Sequence, residues 1–428
     1  MKNVGMSSSS RFLSINNSLI IDQIPVYRLL TIYVLWIAIP FVVFLSCSRS
    51  EQPDIQASER LRTVIMESDL VIGSEDQPPD HQLGQALSVR TDSDGNIYIS
   101  DLASLTIKVF DSDGHYIRSL GGRGRGPGEF QMIEFMELTP EGHLVIMDRG
   151  NLLYTTITTR GEYVESFPYN FSNQFYPTQV YYNDGKLMAL FLDTNPLLDI
   201  PGDERHLFHI YTLDYQELLY SFFPFLELEI EGHYPWLEMS FALGRFSMNA
   251  MGDTFIYSPG IYYGKLYVFK KQDDGKWALD GKIEGIEPIV EPYAIFTSET
   301  QYNRAENHPG TLKIFSAGGP YFGNVLSINT GIFHLQDGRI IHFFGQRREN
   351  EGFGQEAEFH YLDIYAQIFS EDFELESYGL LHTIEERLHT RRHIRYSLVN
   401  WKDDVENFYL MELKDDVPLV RRFTLVEM

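Results

Sequence analysis

The stretch Ala86–Phe130, ALSVRTDSDGNIYISDLASLTIKVFDSDGHYIRSLGGRGRGPGEF, decides the architecture. Leu87-Ser-Val-Arg90, Asn96-Ile-Tyr-Ile-Ser100, Thr106-Ile-Lys-Val-Phe110 and His115-Tyr-Ile-Arg-Ser-Leu120 are β-branched and aromatic runs of near-alternating polarity, which suits strands with at least one buried face. Asp92-Ser93-Asp94-Gly95 and Asp111-Ser112-Asp113-Gly114 separate them. In such turns the Asp side chains accept hydrogen bonds from nearby backbone N–H groups, and Gly takes the positive φ that closes a hairpin. The stretch therefore predicts a four-stranded antiparallel meander. One meander leaves too much sheet exposed to be stable alone, so similar units are expected beside it.

The rest of the chain supplies them. Phe135–Asp148 and Leu153–Phe167 repeat the strand and turn order around Thr139-Pro140-Glu141-Gly142 and Thr159-Arg160-Gly161. A third copy runs from Thr178, with hairpins at Tyr181–Leu190 and His206–Phe223; a fourth turns at Asn249–Asp253 and Gln272–Gly275. The fifth carries Gln336–Phe344 and Tyr361–Tyr378, and the sixth Leu398–Trp401, Asn407–Glu412 and Leu419–Val426. Ahead of the first copy, Leu61–Met66 and Leu70–Ile72 are orphan strand material. In a closed ring of sheets, a strand from one end of the chain often completes a unit made by the other end. The sequence leaves open whether the strand near Val64 or that near Thr424 closes it.

At 428 residues, 43% hydrophobic and 14% aromatic, the chain is long and apolar enough for a large core. Its formal charge of −26 argues against a nucleic-acid partner, because a phosphate backbone would be repelled. A single cysteine rules out an intramolecular disulfide.

That cysteine, Cys47, follows the uncharged run Leu29–Ser46 and precedes the polar Ser48-Arg49-Ser50-Glu51-Gln52. Residues 1–46 resemble a bacterial lipoprotein signal peptide, in which a thiol at the cleavage point is acylated and becomes the new N-terminus. Ser46 is small, as that processing requires, while Phe44, Leu45 and the long leader Met1–Arg28 depart from the usual pattern. The alternative is an uncleaved anchor, since about 18 apolar residues lies near the lower limit for spanning a bilayer. Either places the body outside the cytoplasm, as a periplasmic or outer-membrane protein held to a membrane. Residues 47–60 then read as a polar tether, and 61–428 as the folded body.

Asn96-Ile-Tyr-Ile-Ser-Asp101, Ile107-Lys-Val-Phe-Asp111 and Gly121–Phe130 resemble the NHL-type repeat, and within that group the six-bladed β-propeller lipoproteins of Bacteroidetes-like bacteria. The likeness is specific over Ala86 to about Phe167 and diffuse beyond. It implies an all-β fold, a ring of six radially packed four-stranded antiparallel blades around a central channel. It assigns no activity and implies no cofactor.

Several groups are candidates for chemistry. The exit Gly121–Gly128, with Arg123 and Arg125, is one place to hold an anion; as a plain inter-blade connection, its glycines make the bends and Phe130 fills the cleft between sheets. His382 to Arg395 is a basic island in an acidic chain, and a short helix over Glu385–Tyr396 would put His389 and His393 one turn apart. That is a two-histidine metal geometry without a third ligand or a metalloprotease Glu, so a solvated basic surface is the favoured reading. The Asp-x-Asp-Gly turns lack the further oxygen ligands of calcium loops. Pro224–Ser240, with Tyr234 and Trp236, and Glu287–Pro320 break the repeat rhythm as long aromatic loops. They are expected either to form a recognition platform or to cover the neighbouring blade.

These features point to an extracytoplasmic binding or scaffolding module for an envelope protein, peptide or glycan, anchored through Cys47. The alternative is a metal-dependent lactonase- or lyase-like enzyme with its site in the channel, an idea carried by fold analogy alone. No catalytic residue is assigned, and a channel metal ion stays open.

Overall fold

The computed structural model describes residues 61–428 except 75, 76, 80, 140, 169–176, 184, 192–204, 214, 215, 231–239, 297–310, 317, 318, 349–358, 388–397 and 416. Cys47, Tyr234, Trp236, His389 and His393 lie outside the described residues, as do the apolar run and the tether.

The two orphan runs form one strand, β1 (Arg62–Ile72), with a bulge between Ser68 and Leu70. The repeats then build blades in sequence. Blade 1 is β2 (Ala86–Thr91), β3 (Ile97–Asp101), β4 (Thr106–Phe110) and β5 (Tyr116–Leu120). Blade 2 is β6 (Ile133–Leu138), β7 (His143–Asp148), β8 (Leu153–Thr158) and β9 (Tyr163–Pro168). Blade 3 is β10 (Gln179–Asn183), β11 (Lys186–Leu190), β12 (His206–Thr212) and β13 (Leu218–Pro224). Blade 4 is β14 (Arg245–Met248), β15 (Thr254–Ser258), β16 (Lys265–Lys271) and β17 (Trp277–Glu284). A three-stranded sheet follows, from β18 (Tyr293–Phe296), β19 (Thr311–Ser316) and β20 (Gly319–Val325), ordered β18-β20-β19. Blade 5 is β21 (Ser327–His334), β22 (Ile340–Arg348), β23 (Phe359–Phe369) and β24 (Leu375–Arg387). β25 (Leu398–Lys402), β26 (Phe408–Lys414) and β27 (Val417–Glu427) give three strands of blade 6.

The fourth strand of blade 6 is β1. It pairs antiparallel with β27 from Val64↔Glu427 to Ile72↔Val420, so the first strand of the described chain closes the ring on the last. Both regions the sequence left competing for closure take part, as partners. The far edge of β1 also meets β24 in a short parallel ladder at Arg62↔Ser377 and Thr63↔Tyr378, joining the outer edges of blades 5 and 6. Gly379 makes room for this contact, since a Cβ there would stand 2.1 Å from the Val64 carbonyl oxygen.

The propeller is held by apolar seams between neighbouring blades. Ile107, Leu120, Phe130, Ile133 and Ile146 join blades 1 and 2; Phe135, Met147, Val180 and Leu187 join blades 2 and 3. Phe208 of blade 3 packs on Phe246, Phe255 and Phe269 of blade 4 with ring centroids 5.1 to 5.6 Å apart. Ile256 and Val268 meet Ile332 and Phe344 between blades 4 and 5; Phe343 meets Phe408 at 5.1 Å between blades 5 and 6. Ile72, Val89, Ile97, Met411 and Val420 close the seam between blades 6 and 1. A ring in which every sheet buries both faces against neighbours is the stable solution for such meanders.

Two expectations need correction. Glu287–Pro320 is not wholly loop, because β18 and β19 lie in it and β20 begins at its end; alternation such as Tyr293-Ala-Ile-Phe296 carries too few residues to stand out between turns. The short helix expected over Glu385–Tyr396 does not begin at Glu385, since Glu385–Arg387 extend β24, paired with β23 through Tyr361↔Glu385. Cross-strand pairing overrides a weak local helix preference there. Among the described residues, no helix is long and apolar enough to cross a membrane.

Candidate functional site

Strands alternate in direction along each blade, so the connections between them sort onto two ends of the ring. At one end lie the turns joining the first to the second and the third to the fourth strand of each blade, none longer than five residues (249–253 is one of five). At the other lie the connections from second to third strand and from blade to blade. These include 191–205, 225–244, 285–326, 349–358 and 388–397. The Gly-rich exit belongs to this end, and in sequence Pro224–Ser240 and Glu287–Pro320 fall in such connections, whereas His382 and Arg387 of the basic island lie in β24, His382 Nε2 standing 2.7 Å from Glu412 Oε2. Exposed apolar side chains stand at both ends, Leu226, Leu243 and Ile289 at this one, Met251 and Val405 at the other. Connection length, rather than exposed apolar surface, distinguishes the two.

The Gly-rich exit uses its own amides. Gly124 N donates to Phe130 O at 3.0 Å, Phe130 N to Gly122 O at 2.7 Å and Glu129 N to Gly126 O at 3.0 Å, while Gly126 N donates to the Glu129 carboxylate at 2.8 Å. Gly121, at φ +75°, lies so close over the buried Phe130 ring that a Cβ would stand 2.3 Å from it. Arg123 and Arg125 are exposed and form no ion pair among the described residues. They place positive charge at the long-connection end.

Asp101 and Asp148 end the second strands of blades 1 and 2 and clasp the chain entering each blade. Asp148 Oδ1 accepts from Met132 N, Gly150 N and Asn151 N, and Oδ2 from Gln131 N and Asn151 Nδ2. Asp101 does the same for Gly84 N, Gln85 N, Ala103 N and Ser104 Oγ. In the hairpin turns, Asp92 accepts from Asp94 N, Asn96 N, Asn96 Nδ2 and Tyr98 Oη, and Asp403 repeats this with Val405, Asn407 and Tyr409. The turn carboxylates are thus engaged as turn-forming acceptors.

The central channel is bordered by the first strand of each blade, whose inner edges leave backbone groups without a ladder partner. Side chains from neighbouring blades cover several of them. Asn400 Oδ1 of blade 6 accepts from Val89 N of blade 1 at 2.7 Å. Gln179 of blade 3 pairs with Phe246 of blade 4 through both its amide atoms, at 2.7 and 2.9 Å. Ser247 Oγ of blade 4 accepts from His334 N of blade 5 at 2.9 Å.

Charge gathers at the same place. Arg90 of blade 1 grips Glu137 of blade 2 bidentately, Nε to Oε1 at 2.8 Å and Nη2 to Oε2 at 2.7 Å, and its guanidinium lies over the Trp401 ring of blade 6, 4.6 Å from the centroid. Trp401 is fixed in turn by Nε1 donating to Thr91 Oγ1 at 2.8 Å. Arg245, first residue of β14, is partly exposed and donates one long bond, Nη1 to Thr178 O at 3.5 Å. Burial, and after it the Arg90 charge, push its guanidinium down to about 10, with Glu137 acting the other way. Burial and the Glu137 charge likewise push the Tyr182 phenol of blade 3 upward. Arg90 of blade 1 thus touches both its neighbours, blade 2 through Glu137 and blade 6 through Trp401.

Among the described residues, no group of three or more His, Cys, Asp and Glu side chains converges as a metal site. Both Glu137 oxygens are taken by Arg90.

A serine–histidine pair does occur, between blades 4 and 5. Ser258 Oγ lies 2.9 Å from His342 Nε2, and Gln367 Nε2 donates to His342 Nδ1 at 2.8 Å. Gln367 Oε1 accepts from Ile286 N, which fixes the amide orientation and makes Nδ1 the acceptor, so the proton sits on Nε2. Burial pushes this imidazole down to about 3. With Ser258, His342 and Gln367 sealed from solvent and no carboxylate to stabilise an imidazolium, the group is a structural tie, not a nucleophile and its base.

A family comparison agrees with this architecture. Residues 79–194 match the DUF5128 family, described as a 6-bladed β-propeller. The chain matches none of the curated proteins. Among solved structures, it is similar to a member of the DUF4221 family from Bacteroides vulgatus, with 11% identity, TM-score 0.49, and 86% of this chain and 99% of that one covered. An auxiliary nutrient binding protein from Bacteroides ovatus shares 11% identity at TM-score 0.41, covering 86% and 78% of the two chains. Virginiamycin B lyase from Staphylococcus aureus shares 9% at TM-score 0.37, covering 85% and 100%. Likeness at this level assigns neither ligand nor activity.

The sequence missed Arg90, Glu137, Arg245 and Asn400. A signal was present: each is a charged or amide residue within the first strand of its repeat, as in ALSVRT and IEFMEL.

Proposed function

We propose that the protein is a lipid-anchored, extracytoplasmic binding module, tethered through Cys47, that recognises an envelope protein, peptide or glycan at the long-connection end of its propeller. The observation that carries this reading is the division of the ring into two ends, one of turns no longer than five residues and one from which every long connection leaves. Rigid blades that hold variable connections on one side are how a scaffold presents a recognition surface. Tyr234 and Trp236 belong in sequence to one of these connections, and Arg123 and Arg125 to another. The anchor rests on the Leu29–Ser46 run and the cysteine that ends it.

The anchor is tested by growing cells with a palmitate analogue. The protein should take up the label and fractionate with membranes, and Cys47→Ala should lose the label. Unlabelled wild-type protein in a soluble fraction would overturn the anchored part of the reading.

A further inference from the structure

We propose that Gln346 and Ser327 form a hydroxyl-binding site for a neutral sugar, beneath a strap of residues 287–292 that lifts to admit it; the inference deepens the binding-module reading and rests on it. Ser327 in the first strand of blade 5 and Gln346 in the second are register partners, so their side chains stand on one face of the sheet. Ser327 is wholly buried and Gln346 is 3% exposed, yet Ser327 Oγ and Gln346 Nε2 have no hydrogen-bond partner among the described residues. The orientation of the amide is fixed, because Gln346 Oε1 accepts from Ile289 N at 3.1 Å. Ser327 N in turn donates to Pro292 O at 3.1 Å, so the connection leaving blade 4 runs against both residues.

The strap is fastened at its ends and held lightly between them. Ile286 N donates to Gln367 Oε1 at 2.8 Å, and its carbonyl accepts from Tyr262 Oη at 2.9 Å. At the other end Pro292 O accepts from Leu326 N at 2.9 Å as well as from Ser327 N. None of residues 287–292 is buried, and Ile289 is 78% exposed, so the Ile289–Gln346 bond is the tie in the middle. The closed strap gains that one neutral hydrogen bond while a buried amide N–H and a buried hydroxyl stay unpaired, and an unpaired buried group costs more than such a bond returns. Lifting the middle of the strap lets both be satisfied. Asp363, the next residue in the row, has its oxygens taken by Arg348 Nε at 2.6 Å, Arg348 Nη2 at 3.0 Å and Thr383 Oγ1 at 2.6 Å. What the row offers is thus an amide donor and a hydroxyl, which suit a neutral oxygen. An extended peptide would gain no ladder here, because Ser327 N and O are already bound to Pro292 O and Tyr262 N. A sugar hydroxyl accepts from Gln346 and donates to Ser327 with a single oxygen.

The test is calorimetry, hydrogen exchange and thermal melting of the full chain in detergent, with glucose, N-acetylglucosamine and an end-blocked trialanine peptide as probes. At least one sugar should bind saturably and speed exchange of the Ile289 amide, which loses its Gln346 acceptor; the peptide should do neither. Ser327→Ala and Gln346→Leu should each weaken the sugar at least about fivefold, one hydrogen bond's worth. Without sugar, Ser327→Ala should melt no lower than wild type, since it deletes an unpaired hydroxyl, and Gln346→Leu should already show fast exchange at Ile289. Neither sugar binding, or binding that leaves exchange over 285–292 unchanged or is as tight in both variants, would overturn the proposal. So would a peptide that binds and is lost in the variants, or a Ser327→Ala protein that melts several degrees lower. Photo-adducts from the long connections without any sugar response would leave the binding module standing and this inference fallen. Sugar binding lost in both variants, with adducts from the turn end alone, would do the reverse.

Discussion

Val64 in the first strand of the ring pairs antiparallel with Glu427 in the last, and Val64 is wholly buried. The ring is therefore closed by hydrogen bonds between the first and the last strand of the described residues. Removing residues 61–72 would leave the edge of β27 unpaired and uncover the seam that Ile72 forms with Val89 and Val420. Two buried aliphatic side chains alone are worth at least about 3 kcal/mol. The truncated protein should lose its single cooperative melting transition, and Val64→Ala in the full chain should cost about 2 kcal/mol in urea denaturation. An unchanged midpoint in both would show that the ring does not depend on this strand.

Asp148 is fully buried and accepts five hydrogen bonds that fix the chain entering blade 2. Asp148→Ala leaves those five donors without their acceptor, and the expected loss is about 1 to 3 kcal/mol. Asp148→Asn keeps one acceptor oxygen and should lose less. Equal stability of the alanine variant and wild type in denaturant titration would contradict the clasp.

Stability should fall as pH drops below about 6.5, the ordinary histidine range. Burial holds His342 down to about 3 and His209 down to about 4, so both stay neutral in the folded protein while the unfolded chain takes up protons. Their contribution is complete above the unfolded value and is lost as pH falls towards the folded one. By pH 4.5 the loss is about 2 to 3 kcal/mol for each. Melting curves from pH 7.5 to 4.5 should show this slope, flattened in His342→Gln. A wild-type midpoint independent of pH over that range would rule out neutral buried imidazoles.

Arg90 of blade 1 holds both oxygens of Glu137 of blade 2, and both side chains are largely buried. Glu137→Gln leaves the Arg90 cation without its carboxylate, a cost of about 3 to 5 kcal/mol. Arg90→Gln should cost a similar amount, and the double variant less than the sum of the two. Strict additivity in denaturant midpoints would mean that the pair does not tie the two blades together.

The blades were legible in the sequence because each hairpin announces itself locally, through Asp92-Ser-Asp-Gly95 or Gln272-Asp-Asp-Gly275 between alternating strands. Closure by β1 was not, because a run such as Arg62–Ile72 states that it wants a partner and not which edge supplies it. The β18–β20 sheet escaped notice because strands of four to seven residues carry little periodicity. The channel cluster was hidden for a different reason. Arg90 lies far in the sequence from Glu137 and Asn400, and only the ring brings them together.

The claim most worth direct test is that the long-connection end is the recognition surface. A photo-activatable residue placed singly at Leu226, Leu243 or Ile289, and as controls at Met251 or Val405 on the turn end, can be irradiated in intact cells. All five side chains are exposed, so the comparison is one of position alone. The account predicts a discrete adduct from the first set and none from the second. Adducts from the turn end, or none from either end, would contradict it.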